Sequence, residues 1–147
     1  MSKKNILIFS TALIVVLLDQ LIKFLIRKNF QLGQPVPLIK NILNITYLTN
    51  TGSAFSLFQN LNFIFIIFSS VVVVAIFYII AKVKENQRLM QFAFGLLLGG
   101  TIGNLTDRLI YGAVTDFIDF RIWPVFNIAD SAVSVSIILF IILLWEK

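Results

Sequence analysis

Long apolar runs alternate with polar connections along the chain, which is 147 residues long. Each run is long enough to cross a bilayer as a helix, which takes about 20 apolar residues. The four runs lie at about residues 5–26, 61–83, 89–110 and 128–145. The connections lie at 27–60, 84–88 and 111–127. This pattern predicts one integral membrane domain, residues 1–147, with four transmembrane helices.

A basic tail, Met1–Lys4, precedes the first apolar run, an arrangement also found in secretory signal peptides. No small-x-small cleavage site follows, and the run ends at Arg27 and Lys28. We therefore expect the first run to be an uncleaved transmembrane helix.

The connection at 27–60 contains a signal for β-structure. Pro35 and Pro37 exclude a continuous helix there, because proline lacks the N–H donor that a helix needs. Residues 43–49 alternate between apolar and polar, which is typical of a strand, and Asn50-Thr51-Gly52 is typical of a turn. A strand in the bilayer core would leave backbone groups unbonded, so we expect this segment at the membrane surface. The predicted fold class is an all-α membrane protein of four transmembrane helices, with a small extracytoplasmic β-containing segment between the first and the second.

Glycines interrupt the third apolar run at spacings that let neighbouring helices approach closely. They are Gly95, Gly99, Gly100 and Gly103. We therefore expect the third helix to be tightly packed.

The composition agrees with a membrane protein. The chain is 59% hydrophobic with a mean hydropathy of +0.94. Only 13% of its residues are charged, against about 25% in soluble domains. The net charge of +5 comes from scattered Lys and Arg residues that flank apolar runs. These positions favour a role in topology and in contacts with membrane lipids over nucleic-acid binding.

The distribution of Lys and Arg predicts the orientation. The amino-terminal tail, the short link at 82–88 and the carboxyl terminus hold six, whereas the two long connections hold four. Because cytoplasmic segments are enriched in these residues, we expect both termini in the cytoplasm and the long connections on the outer face.

The chain contains no Cys and no His. This excludes a disulfide framework, a cysteine nucleophile, a Ser-His-Asp triad and a His/Cys zinc site. Asp, Glu, Lys, Tyr, Ser and Thr remain as candidates for chemistry.

Asp116 and Asp130 lie on either side of a predicted membrane boundary, where carboxylates are costly. Two adjacent carboxylates cannot both ionise easily, so they share a proton, and one can act as base while the other acts as acid. Such a pair can activate water to attack a peptide carbonyl. The structural alternatives are that Asp116 is an exposed loop acid, as Asp119 is expected to be, and that Asp130 is a first-turn acid in a helix capped by Asn127.

Other polar residues fall at helical spacing. Asn104 and Arg108 share one face of the third helix. Arg108 is either a snorkelling residue or a donor aimed at a substrate or at one of the two aspartates. Asp19 and Lys23 have the same spacing in the first helix, where they either serve the site or only neutralise each other. Asn50 and Gly52 either approach an extended peptide or form a plain turn.

Five sequence blocks, taken in order, resemble the lipoprotein signal peptidase (signal peptidase II) family of bacterial membrane aspartic proteases. The blocks are DQLIK at 19–23, NTGSAF at 50–55, GGTIGNLTDR at 99–108, GAVTDF at 112–117 and FNIAD at 126–130. With the four-helix profile they cover essentially the whole chain. One departure is Ile22, where the family often has a small hydroxyl residue.

The resemblance implies that Asp116 and Asp130 are the catalytic pair. It also implies that Asp19 and Lys23 support the site from the first helix. The residues it implies as lining the site are Asn50, Gly52, Asn104, Arg108 and Asn127.

The implied reaction removes the signal peptide of a diacylglyceryl-modified prolipoprotein by cleaving just before the lipidated cysteine. We expect the enzyme to work as a monomer in the bacterial cytoplasmic membrane, with its site near the outer face and with no metal or organic cofactor. The segment at 29–60 matches the family's surface cradle and a mobile element over the site.

Two alternatives come from other functional classes. A small proton-coupled transporter or channel subunit would use Asp19 and Lys23 as a gate, but it predicts polar residues through the full depth of the bundle. Few are found in the cytoplasmic halves of the second and fourth runs. A structural accessory subunit would tolerate conservative changes such as Asp116→Asn.

Overall fold

Four long helices form the membrane-spanning part of the protein. The computed structural model describes residues 3–52 and 61–145. The helices are α1 Lys3–Asn29, α2 Asn62–Ile80, α3 Arg88–Tyr111 and α4 Ile128–Trp145. All four are long and apolar enough to cross a membrane, which confirms the predicted fold class.

A three-stranded antiparallel sheet lies beside the helix ends. Its strands are β1 Pro35–Ile39, β2 Leu43–Asn50 and β3 Val114–Asp119, in the order β1-β2-β3. The predicted strand at 43–49 corresponds to β2. Pro35 and Pro37 are accommodated because β1 is an edge strand, where a missing N–H donor leaves no neighbouring strand unpaired.

The structure adds β3, a strand that the sequence pattern does not predict. This strand comes from the connection between α3 and α4, so the sheet draws on both long connections. Asp116 and Asp119 lie on opposite faces of β3, because their positions differ by an odd number. A carboxylate on each face hides the alternation of apolar and polar residues that marks a half-buried strand.

The turn from α3 into β3 is set by Gly112. Its φ of 73° lies in the left-handed region, and its N–H donates to the carbonyl of Arg108. This geometry ends the helix and sends the chain directly into β3.

The glycines of α3 allow close contact with two neighbouring helices. A Cβ atom at Gly95 would lie 2.6 Å from Cβ of Thr11 in α1. One at Gly100 would lie 2.5 Å from the carbonyl oxygen of Ala129 in α4. The tight packing expected for α3 is therefore present, and it brings both α1 and α4 against the same helix.

Gly100→Ala should destabilise the protein, because the added methyl group would meet the backbone of Ala129 and the side chain of Val133. We expect a loss of about 1–3 kcal/mol in the free energy of unfolding, as for other overpacked cores. Thermal unfolding in detergent micelles measures it. Val74→Ile, which adds a methylene group to an exposed side chain of α2, is the matched control. An equal stability of the two variants would contradict close packing at Gly100.

Candidate active site

Asp116 is a buried residue in the middle of β3, only 3% exposed. The alternative that it is an exposed loop acid is therefore wrong. Asn50 at the end of β2 donates to its Oδ2 atom at 3.1 Å, and the Nδ2 atom of Asn127 donates to its Oδ1 atom at 2.7 Å. Both carboxylate oxygens thus have an amide partner, which fixes the orientation of the side chain.

Asp130 lies in the first turn of α4, and Asn127 is its cap. Oδ1 of Asn127 accepts from the N–H of Asp130 at 2.8 Å, while Oδ2 of Asp130 accepts from the N–H of Asn127 at 3.3 Å. This reciprocal pair is a capping box. The other carboxylate oxygen of Asp130 accepts from Nδ2 of Asn104 at 2.7 Å. Asp130 is therefore a capping residue and also part of a polar cluster with α3.

Two amides connect the two acids. Nδ2 of Asn127 donates to Asp116 and also to Oδ1 of Asn104, at 3.1 Å. Nδ2 of Asn104 in turn donates to Asp130. Nζ of Lys23 donates to the same Oδ1 atom of Asn104 at 3.0 Å. Turning over the Asn104 amide would place its NH₂ group against the ammonium, so Lys23 determines which end of this amide faces Asp130.

The pKa of Asp116 is raised from its ordinary value of 3.8 to about 7, chiefly by burial and also by the negative charge of Asp130. The hydrogen bonds from Asn50 and Asn127 and the charge of Lys23 act against this rise. A carboxyl group with this pKa holds a proton for about half the time at neutral pH. The arrangement is thus suited to a carboxyl pair that shares one proton.

The two acids open on a cavity of about 590 Å³. Its polar side contains Asn50, Gly52, Asn104, Arg108, Asp116 and Asp130. Its apolar side is formed by the chain after β3 and by one face of α4, including Phe120, Trp123, Val125, Phe126 and Val133. A site with a few polar groups against an apolar wall suits a ligand that is largely apolar.

Arg108 links the polar side of this cavity to α2. Its Nη2 atom donates to the carbonyl of Gly52 at 3.3 Å, and its guanidinium lies 5.2 Å from the ring centre of Phe65 in α2. Arg108 therefore connects α3 to the end of β2 and to α2. Residues 53–60, which include the rest of the NTGSAF block and of the expected mobile element, lie outside the described part of the chain.

Asp19 and Lys23 lie behind the cavity and are fully buried. Nζ of Lys23 is 2.8 Å from Oδ2 of Asp19 and 3.4 Å from Oδ2 of Asp107. The second oxygen of Asp19 accepts from the N–H of Ala129 at 2.9 Å. The pair thus neutralises itself and also holds two parts of the site, the start of α4 and the amide of Asn104.

A clamp that the sequence did not predict is formed by Arg27, Asp107 and Thr115. Nη1 of Arg27 donates to Oγ1 of Thr115 at 2.9 Å and lies 3.4 Å from Oδ1 of Asp107. Oδ2 of Asp107 accepts from the N–H of Thr115 at 2.9 Å. Thr115 directly precedes Asp116, so the clamp holds the strand that carries this acid. The helical spacing of Asp19, Lys23 and Arg27 places all three on one face of α1, a signal that could have found it.

Asp119 lies apart from the cavity. It ends β3 and accepts from the hydroxyl of Thr46 at 2.7 Å and from the N–H of Arg121 at 2.8 Å. Within residues 3–52 and 61–145, no three acidic side chains are grouped closely enough to hold a metal ion.

Comparisons with known proteins agree with one another. The family model for signal peptidase (SPase) II matches residues 11–146. A lipoprotein signal peptidase from Halothermothrix orenii is 38% identical over 141 residues, which cover 96% of this chain and 97% of that protein. One from Bacillus subtilis is 39% identical over 140 residues, which cover 92% and 91%. A solved bacterial membrane enzyme has a TM-score of 0.88 at 36% identity, with 92% of this chain and 85% of that one covered.

Thr115→Val should destabilise the protein, because it removes the hydroxyl that accepts from Arg27 and leaves this partly buried guanidinium with one partner fewer. We expect a loss of about 1–3 kcal/mol in the free energy of unfolding, measured by thermal unfolding in detergent. The control is Thr49→Val, at the exposed position paired with Thr115 on β2. If both variants were as stable as the parent, the clamp would not hold β3.

Proposed function

The chain belongs to the signal peptidase II family of multi-pass membrane proteases, which remove signal peptides from prolipoproteins, and we propose that Asp116 and Asp130 are its catalytic pair. The observation that carries the proposal is the amide bridge, in which Asn104 and Asn127 connect the two carboxylates at the edge of one cavity. Membership of this family favours a protease over the alternatives of a proton-coupled transporter and an accessory subunit.

In the proposed reaction, Asp116 holds the shared proton and Asp130 is the base. Asp130 takes a proton from a water molecule, and the water oxygen attacks the carbonyl carbon of the scissile peptide. Asp116 donates its proton to the carbonyl oxygen, which gives a tetrahedral diol. The proton taken by Asp130 then passes to the leaving nitrogen as the carbon–nitrogen bond breaks. One diol hydroxyl returns its proton to Asp116 as the carbonyl forms again, so the pair ends with one shared proton. The pKa of about 7 supports this assignment for Asp116, because a group that titrates near neutral pH can both hold and release a proton.

Asn50, Gly52 and Arg108 are proposed to bind the substrate backbone on the polar side of the cavity. The amide of Asn50 and the guanidinium of Arg108 supply donors, and Gly52 lets an extended chain come near the backbone. We propose supporting roles for Asp19 and Lys23, which reach the site through Ala129, Asn104 and Asp107.

The apolar side of the cavity supports a substrate with a diacylglyceryl-modified cysteine, cleaved just before that residue. We propose that the site lies near the outer face of the bacterial cytoplasmic membrane, that both termini are cytoplasmic, and that one copy of the chain is sufficient. The peptide bond after an apolar signal helix would then meet the acids at the membrane boundary.

Asp116→Asn and Asp130→Asn should each lower cleavage by at least about 100-fold, because each removes one partner in proton transfer. The measurement uses purified protein and a lipidated prolipoprotein, with the shortened product followed on a gel. Asp119→Asn, which changes a carboxylate of the same strand outside the cavity, is the matched control. Normal cleavage by either of the first two variants would refute the pair.

Asn50→Ala should move the alkaline limb of the pH–rate profile upward. The pair loses its shared proton as the pH rises through the pKa of Asp116, so cleavage falls above about 7. The amide of Asn50 stabilises the ionised form, and its loss raises this pKa by about one unit. The control is Thr49→Ala, an exposed neighbour in β2. A limb that stays in place, or moves to lower pH, would contradict the role of Asp116 as the proton holder.

A further inference from the structure

Two turns that are far apart in the sequence meet at one end of the sheet. The first joins β1 to β2, and the second follows β3. Asn41 and Arg121 have φ values of 65° and 66° in these turns, and Nη1 of Arg121 lies 3.5 Å from Oδ1 of Asn41. The pairing of Asn44 with Asp119 places the two turns side by side on a hydrogen-bonded sheet. Their shared surface is therefore held in place by the fold.

This turn surface exposes apolar side chains where turns usually carry polar ones. Ile122 is 94% exposed and Trp123 is 62% exposed. Ile42 from the first turn is also exposed, and it lines one hollow together with Phe120 and these two residues. Moving an isoleucine side chain from water into an apolar phase is favourable, in proportion to the apolar area removed from water. The surface thus favours an apolar phase over bulk water.

Cations flank the same apolar side chains. Lys40 and Arg121 are both exposed and line a neighbouring hollow. The acid in that hollow, Asp119, already accepts from Thr46 and from the N–H of Arg121. Apolar side chains beside Lys and Arg, with a tryptophan among them, are the pattern of segments that lie at the lipid–water interface and contact anionic headgroups.

The position of the surface agrees with such a contact. Trp123 precedes the first residue of α4 by five positions, so the two lie at most about 18 Å apart. Phe120 and Trp123 also line the cavity that holds the two acids. The turn surface therefore lies at the same end of the bundle as the site, beside the start of a membrane-spanning helix.

We propose that the turn surface docks on the membrane leaflet nearest the site. Ile122 and Trp123 enter the boundary between headgroups and acyl chains, and Lys40 and Arg121 contact the phosphates of anionic lipids. The sheet is thereby anchored to the bilayer through its own side chains as well as through the helices. Because β3 carries Asp116, this contact sets the depth of that acid relative to the lipid.

The absence of cysteine from the chain makes a site-specific probe possible. The Ile122→Cys variant is labelled with an environment-sensitive fluorophore and reconstituted into phosphatidylcholine vesicles, with and without phosphatidylglycerol. Lipids with brominated acyl chains serve as quenchers in both kinds of vesicle. Val74→Cys on the exposed face of α2 is the lipid control, and Glu85→Cys in the exposed link before α3 is the water control. No substrate is present, and the label is also read on the Asp116→Asn background, so the result is independent of catalysis.

The label at position 122 is expected to show blue-shifted emission and quenching by brominated lipid, as at position 74 and unlike position 85. Phosphatidylglycerol should increase the quenching, and Lys40→Gln with Arg121→Gln should remove that increase. Quenching of this label by aqueous iodide, and not by brominated lipid, would overturn the proposal. A blue shift that appears only after lipidated prolipoprotein or a protein partner is added would overturn it as well. Insensitivity to phosphatidylglycerol would overturn the contact with anionic headgroups.

Discussion

The buried ammonium of Lys23 is the interaction on which the site depends. A charge taken out of water must be paired and hydrogen-bonded, since an unpaired one costs several kcal/mol. Lys23 meets this demand with Asp19 and Asp107 and with the amide oxygen of Asn104. Each partner has a second contact, to Ala129, Thr115 and Asp130 respectively. Neutralising one charge thus positions both the strand and the helix that carry the acids.

This network requires helices that approach closely, and the glycines of α3 make that possible. A Cβ atom at Gly103 would lie 2.8 Å from Oδ2 of Asp19 and 3.2 Å from Cβ of Ala129. Any larger residue there would separate the carboxylate of α1 from the first turn of α4. The small residues of α3 and the buried charges are therefore parts of one arrangement, in which packing sets the distances that the hydrogen bonds need.

The environment of each acid follows from its element. Asp116 is on a strand, with its neighbour Thr115 turned to the opposite side and held by Arg27. Asp130 is in a helix first turn, where its backbone is fixed by the capping pair with Asn127. A strand and a helix end are both rigid supports, so the two carboxyl groups are held in fixed positions.

The sequence by itself determined the four spans, the strand at 43–49 and the family, because apolar length, alternation and ordered motifs are local properties of the chain. It also singled out the two acids as candidates for chemistry. It did not determine β3, since Asp116 and Asp119 interrupt the apolar pattern on both faces. Nor did it find the clamp, because Arg27 at the end of a span looks like an ordinary topology signal until Thr115 is placed beside it. The amide bridge was likewise decided by tertiary structure. It joins Asn104, Asn127 and Lys23, whose contacts span up to 81 positions of the chain, and only the packing of α1 and α4 against α3 brings them into hydrogen-bonding distance.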